Sequence, residues 1–265
     1  MKRFVISSLP RTGTHLLRSS LQEHPQIHCM GEYFHPQWAG GQDRPSWLRA
    51  LVEQNGATFA TTLTAVRRSY FEEPRAPAVT ALGLCLHADQ EAPDQACTPW
   101  PHKAIVQTVP DLHVIRLERR DALAACISML VAERTDKWRA FRADEVCQPE
   151  PFAASPQKVV EYLHVRKNLR RQADACFAGL PCLDIDYEEL VLEYDAVMEC
   201  VFAFLAVPSR SVTPRTWKQG RWPIHDVILN ADEVLAEVRL AHADEDSELD
   251  TPTLLPDVRE CRQDA

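Results

Sequence analysis

From residue 3 to about 240, two hydrophobic patterns take turns along the chain. Short runs at Arg3–Ser8, Gln26–Met30, Val79–Leu86, His113–Leu117 and Pro181–Tyr187 each predict a strand, those at Arg3–Ser8 and Val79–Leu86 buried. Between these runs, apolar residues return every three or four positions, as on one face of a helix. Leu16, Leu17 and Leu21 mark the first helix. Others are predicted over 46–54, over 59–71 (Leu63, Val66 and Tyr70 on one face), from Asp121 to Trp138, from Ser155 to Ala178, from Tyr194 to Leu205 and from Ile228 to Leu240. Ser155-Pro156 supplies a capping hydroxyl followed by proline in the first turn, and Gly179 supplies the stop. Prolines break up 88–103 and 144–156, which predicts two irregular connections, the second a surface loop able to act as a lid. Alternating strands and helices make this an α/β protein with a mainly parallel sheet covered on both faces.

The first strand leads directly into chemistry. Pro10 ends it, and Arg11-Thr12-Gly13-Thr14-His15 joins it to the helix. A tight loop at a helix start aims several backbone N–H groups at one point, on the positive end of the helix dipole. Thr12 and Thr14 add hydroxyls, and Arg11 adds a forked cation. The result is an anion cradle sized for phosphate or sulfate. It is not the ATP-type loop: no glycine stands four or five residues before Gly13, and no lysine follows it.

Composition narrows the partners. The chain has 265 residues, 45% hydrophobic and 25% charged, with a formal net charge of −9. One large domain over 1–242 fits that length, followed by an acidic tail over 243–265 that is expected to be solvated and partly disordered. The acidic balance argues against a nucleic-acid partner, so any anion site must be a local basic pocket. The apolar stretch Phe4-Val5-Ile6 is too short for a secretion signal, and no run is long enough for stable membrane insertion. Nine single cysteines at 29, 85, 97, 126, 147, 176, 182, 200 and 261 form no Cys-x-x-Cys pair. They suggest neither a disulfide frame nor a zinc site, and point to a reducing, cytoplasmic setting.

A second stretch repeats the opening logic. In His113-Val-Ile-Arg-Leu-Glu-Arg119-Arg120-Asp121, a strand ends in arginines and a helix begins at once, with Ser128 two turns into it. Arg120 and Ser128 are eight residues apart, and Arg119 is the neighbouring candidate.

Together the two segments resemble the family that uses 3′-phosphoadenosine-5′-phosphosulfate (PAPS) as sulfuryl donor. Pro10-Arg11-Thr12-Gly13-Thr14 is similar to its 5′-phosphosulfate loop, and the arginine–serine segment to its 3′-phosphate segment. The likeness is greatest to the bacterial branch that includes the trehalose and nodulation-factor sulfotransferases. Gly31-Glu32-Tyr33-Phe34, Ala132–Trp138, Asp186-Tyr187-Glu188-Glu189-Leu190 and Trp217-Lys218-Gln219 also resemble family segments. One departure is Gly83-Leu84-Cys85-Leu86, where many relatives carry a lysine.

The resemblance implies a P-loop-like three-layer fold and in-line transfer of a sulfuryl group from PAPS to a hydroxyl of a carbohydrate, lipid or secondary metabolite, without a metal. It places Arg11, Thr12, Gly13, Thr14, His15, Arg119 or Arg120, Ser128, Lys218 and Gln219 around the donor. It makes Glu32 the candidate base, with His15 a second candidate and Arg11 beside the leaving oxygens. The partner is then a small-molecule or glycan acceptor. His35 and His102, each beside a proline, read as exposed loop residues. Trp38, Trp47, Phe59 and Tyr70 are candidates for an acceptor pocket or for core. A small-molecule P-loop kinase and a non-enzymatic nucleotide-binding module remain alternatives. The oligomeric state is left open, with a homo-oligomer allowed.

Overall fold

The computed structural model describes residues 1–32, 78–88, 101–216 and 222–245. Five strands form one sheet: β1 (Lys2–Ser8), β2 (Ile27–Glu32), β3 (Ala81–His87), β4 (Leu112–Glu118) and β5 (Cys182–Asp186). All five predicted runs are therefore strands. Their order is β2-β3-β1-β4-β5, and every neighbouring pair is parallel. β1 lies at the centre, with Phe4 level with Gly83 on one side and His113 on the other. That position explains the unbroken apolar run: Phe4, Val5 and Ile6 are all fully buried.

Helices cover both faces. On one side α1 (Thr14–Gln22) contributes Leu17 and Leu21 to a core with Phe4 and Ile6. On the other, Val5 packs with Ile105 and Val109, in and just after α2 (Pro101–Thr108). α3 (Ala122–Thr135) starts at Asp121, whose side chain accepts from the Ala124 N–H at 2.8 Å. α4 (Pro156–Phe177) starts at the predicted Ser155 cap and ends just before Gly179, at φ +82°. Four helices follow β5, the first three being α5 (Tyr187–Leu192), α6 (Tyr194–Phe204) and the single turn α7 (Ile224–Val227). The last, α8 (Ala231–Glu245), starts later than predicted and runs into the acidic stretch.

Two readings are corrected. The connection over 88–103 was expected to be irregular, yet helix begins at Pro101, and His102 is fully buried against Phe177 with ring centroids 5.3 Å apart. Proline in a first helical turn loses no hydrogen bond, so Pro101 opens the helix. The segment 144–156 does not stand free as a lid. Cys147, Phe152 and Ala154 are buried with Val227, Ile228 and Val234, and Phe152 exchanges backbone hydrogen bonds with Val227 and Leu229, both at 2.9 Å. The helices predicted over 46–54 and 59–71 lie outside the described residues, as do Trp38, Trp47, Phe59, Tyr70 and His35.

This topology fixes where a ligand can sit. From β1 the chain crosses to β2 and returns through β3; only then does it pass to β4 and β5 on the other flank. The connections diverge between β1 and β4, and the carboxyl edge at that point is the ligand crevice of open α/β sheets. Both predicted anion turns, after β1 and after β4, open onto it.

Candidate active site

The loop after β1 takes its shape from two left-handed residues, Arg11 at φ +63° and Gly13 at φ +88°. A Cβ on Gly13 would collide with the Tyr187 ring, so glycine is required there for space as well as for φ. The loop's outward carbonyls are tied down by side chains. Thr12 Oγ1 donates to the Leu9 carbonyl at 2.7 Å, and Arg119 Nη1 donates to the Arg11 carbonyl at 3.2 Å. The Leu17 N–H bonds the Gly13 carbonyl, which leaves the N–H groups of the first turn of α1 without helical partners.

The two threonine hydroxyls face the interior of the loop. Thr12 and Thr14 are buried, their hydroxyls are 3.3 Å apart, and Ser8 Oγ lies 2.9 Å from Thr14 Oγ1. Thr12 braces the loop from behind, while Thr14 also reaches the wall of a cavity of about 330 Å³. Arg11, His15, Arg119, Ser128 and Tyr187 share that wall.

Arg11 connects the two anion turns. Its Nε donates to Ser128 Oγ at 2.9 Å and its Nη1 to the Trp138 carbonyl at 2.6 Å. Burial, reinforced by the nearby Arg119 charge, lowers its pKa below the usual guanidinium value. An anion bound here would offset both effects. Arg11 thus reaches from its own loop to Ser128 of the second segment.

Arg119 and Arg120 diverge. Arg119 stacks over Tyr187 at 5.0 Å and faces the cavity with Ser128. Arg120 is more than half exposed and lies 3.7–3.8 Å from Asp186, Glu188 and Glu189. Its charge faces three carboxylates, and of the two arginines left open by the sequence only Arg119 lines this cavity. A second cavity of about 400 Å³ adjoins the first through Arg119, Ser128 and Tyr187, and continues to Trp222 and Ile224.

Glu32 closes β2, beside the end of β3. Its Oε1 lies 3.4 Å from His87 Nε2 and 3.9 Å from His15 Nε2. Burial drives the His15 pKa down to about 4, with Glu32 opposing and the Arg18, Arg139 and His87 charges assisting. His15 is thus neutral at neutral pH. Burial likewise takes His102 down to about 3, with His87 adding to the effect. The end of the Arg18 side chain lies against Gly31, just before Glu32.

His87 and Tyr187 are the residues that the sequence reading missed. His87 ends an apolar strand at the carboxyl edge, and that placement is the one signal the sequence held for it. Lys218, Gln219, Tyr33 and Phe34 lie outside the described residues. No cluster of three or more His, Cys, Asp or Glu side chains able to hold a metal occurs among the described residues. No described helix is long and apolar enough to cross a membrane. Seven cysteines in the described residues are free thiols, four of them buried.

Comparison with known proteins gives this geometry a context. Nodulation protein H of Rhizobium meliloti (strain 1021) is 24% identical over 242 residues, 87% of this chain and 89% of that protein. The protein of the same name from Rhizobium tropici is 25% identical over 218 residues, 80% of this chain and 78% of its own. The solved sulfotransferase from Alicyclobacillus acidocaldarius aligns over 91% of this chain and 96% of its own, with a TM-score of 0.49 at 14% identity. The Sulfotransferase family model matches residues 3–211, which takes in both anion turns, all five strands and Glu32. By that match over most of its length, the chain belongs to the sulfotransferase family.

Proposed function

We propose that the protein transfers a sulfuryl group from PAPS to a hydroxyl of a carbohydrate, lipid or secondary metabolite in the cytoplasm, releasing adenosine 3′,5′-bisphosphate. One observation carries the reading: Arg11 joins the loop after β1 to Ser128 after β4, across a single cavity also walled by Arg119. Two anion sites so linked suit a nucleotide with phosphates at both ends of its ribose better than a simple monophosphate.

In this reading the N–H groups of the loop and of the first turn of α1 hold the 5′-phosphosulfate. Ser128 and Arg119 take the 3′-phosphate, with Arg11 between the two ends. The Tyr187 ring borders the nucleoside, and Lys218 and Gln219 close over it. The acceptor oxygen attacks sulfur in line. The bond from sulfur to the bridging oxygen breaks, and negative charge grows on the departing 5′-phosphate. Preorganised N–H groups stabilise that charge with little reorganisation. The acceptor proton passes to Glu32. His87, at 3.4 Å, orients the carboxylate and offers a route for the proton to leave. A His15 pKa near 4 makes His15 the weaker base at neutral pH. No step calls for a metal.

Titration calorimetry in chelator tests the donor site. Adenosine 3′,5′-bisphosphate should bind at least ten times more tightly than adenosine 5′-phosphate, about 1.4 kcal/mol, as expected for one charge-assisted contact set. Equal affinities would overturn the PAPS reading. Glu32→Gln separates an enzyme from a binding module: it should keep nucleotide affinity and lose transfer from radiolabelled PAPS.

A further inference from the structure

Arg166 sits in the middle of α4, far along the chain from the donor loop, and is only 8% exposed. Its Nη1 donates to the Pro10 carbonyl at 3.1 Å and lies 3.5 Å from the hydroxyl of Tyr162, one turn earlier. With Thr12 on Leu9 and Arg119 on Arg11, three successive carbonyls of the loop each accept a hydrogen bond from a side chain. A peptide whose carbonyl is held outward turns its N–H the other way. The carbonyl of Pro10 belongs to the peptide whose N–H is that of Arg11, the left-handed residue at φ +63°. Such a conformation is unfavourable for a residue with a Cβ and is held in place by surrounding contacts.

Charge makes a second argument. Nearby Arg116, Arg120 and Arg170 each have a carboxylate within 4 Å. Among the described residues Arg166 has none, although it is the most buried of the four. A buried guanidinium without a counter-charge is unfavourable unless an anion neutralises it. Arg166 and Thr12 line a separate cleft of about 610 Å³, and Arg166 does not wall the donor cavity itself.

We propose that Arg166 is a positioning residue for the donor 5′-phosphate: it fixes the Pro10–Arg11 peptide in its anion-binding orientation and places a permanent positive charge behind the loop. This rests on the donor site proposed above. It assigns Arg166 to the 5′ end alone, because among the described residues its hydrogen bond to the loop is to the Pro10 carbonyl.

The test compares two nucleotides that share the 5′-phosphate. Affinities for adenosine 3′,5′-bisphosphate and adenosine 5′-phosphate are measured by calorimetry on the full chain, with Arg166→Gln and Arg166→Lys. Thermal unfolding without ligand is followed alongside. Arg166→Gln should weaken both nucleotides by about tenfold, the scale of a lost charge-assisted hydrogen bond, and leave their ratio unchanged. Arg166→Lys keeps the charge but not the fork, and should weaken both by about two- to fivefold. A merely structural role would lower the unfolding temperature without this graded, ratio-preserving loss. If Arg166→Gln does not fold, Arg166→Lys decides alone. Unchanged affinities in the folded variants, or a changed ratio, overturn the proposal. Failure of the unaltered protein to bind either nucleotide removes the donor-site reading and this one with it.

Discussion

The two ends of the carboxyl edge are built on different principles. Between β1 and β4 the site consists of backbone N–H groups and arginines, whose charge does not change over the working pH range. At the ends of β2 and β3 it consists of the Glu32 carboxylate and two imidazoles, those of His87 and, from the start of α1, His15. The first end suits a ligand whose charge is constant, and the second a proton that must move. The comparison teaches why the anion turns were the more legible. A basic strand-to-helix turn can be read locally, whereas the carboxylate–imidazole cluster brings together groups from three separate stretches of chain.

The comparison breaks most sharply at Glu32. Glu32→Gln should lower transfer by about 10²–10⁴-fold, the usual contribution of general-base catalysis, at unchanged affinity for adenosine 3′,5′-bisphosphate. A radiolabelled transfer assay paired with calorimetry reads both, and a variant that transfers normally would move the proton role to a histidine.

Next in size is the contrast between the two arginines. Arg119→Ala should cut the preference for adenosine 3′,5′-bisphosphate over adenosine 5′-phosphate by about tenfold or more, since it removes a charge-assisted contact to the 3′-phosphate. Arg120→Ala should change that ratio by less than about twofold, because its exposed ion pairs are worth little. Reversal of this order would restore the assignment from sequence spacing.

The pH dependence of stability is a smaller effect. His102 has a folded pKa of about 3 against an unfolded value near 6.5, so the unfolded chain binds more protons between those limits. Its neutral form is favoured by the fold, and that stability is complete above pH 6.5 and lost as pH falls toward 3. The slope approaches about 1.4 kcal/mol per pH unit for this single fully buried group. Denaturation midpoints across pH 4–7 should flatten in His102→Asn relative to the native chain. An unchanged slope would place the acid sensitivity elsewhere.

The smallest effect concerns the catalytic pH profile. With the His15 pKa near 4, titration of His15 should leave no inflection in transfer rate between pH 5.5 and 8. His15→Asn should preserve the shape of the profile in that window, whatever it does to the absolute rate. Loss of an inflection there would show that His15 titrates in the working complex.

Much of the fold was legible because its signals are local. An apolar run between turn residues can bury itself on both faces inside a covered parallel sheet, as β1 and β3 do, and the shorter, more polar runs at the two edges, β2 and β5, are only partly buried. Ser155-Pro156 and Gly179 marked both ends of α4 for equally local reasons. Pro101 misled because proline breaks helices when inside them and opens them when first. The segment 144–156 misled because its prolines report on backbone freedom alone. What pins it is burial of Phe152 under α7 and α8, from residues more than seventy positions away.

The sequence by itself determined that two basic strand-to-helix turns exist, and that one carries the left-handed Gly13. Loop chemistry and helix dipoles depend on neighbours along the chain, and that much is written in order. Only the tertiary structure decided that Arg119, rather than Arg120, enters the cavity. It also decided that Glu32 meets His87, and that Arg166 backs the loop from α4. Neighbouring arginines at a strand end point to opposite sides, and carboxylates supplied by a distant segment choose which side is solvated. Such choices are made by the packing of separate elements, and no spacing along one of them contains the answer.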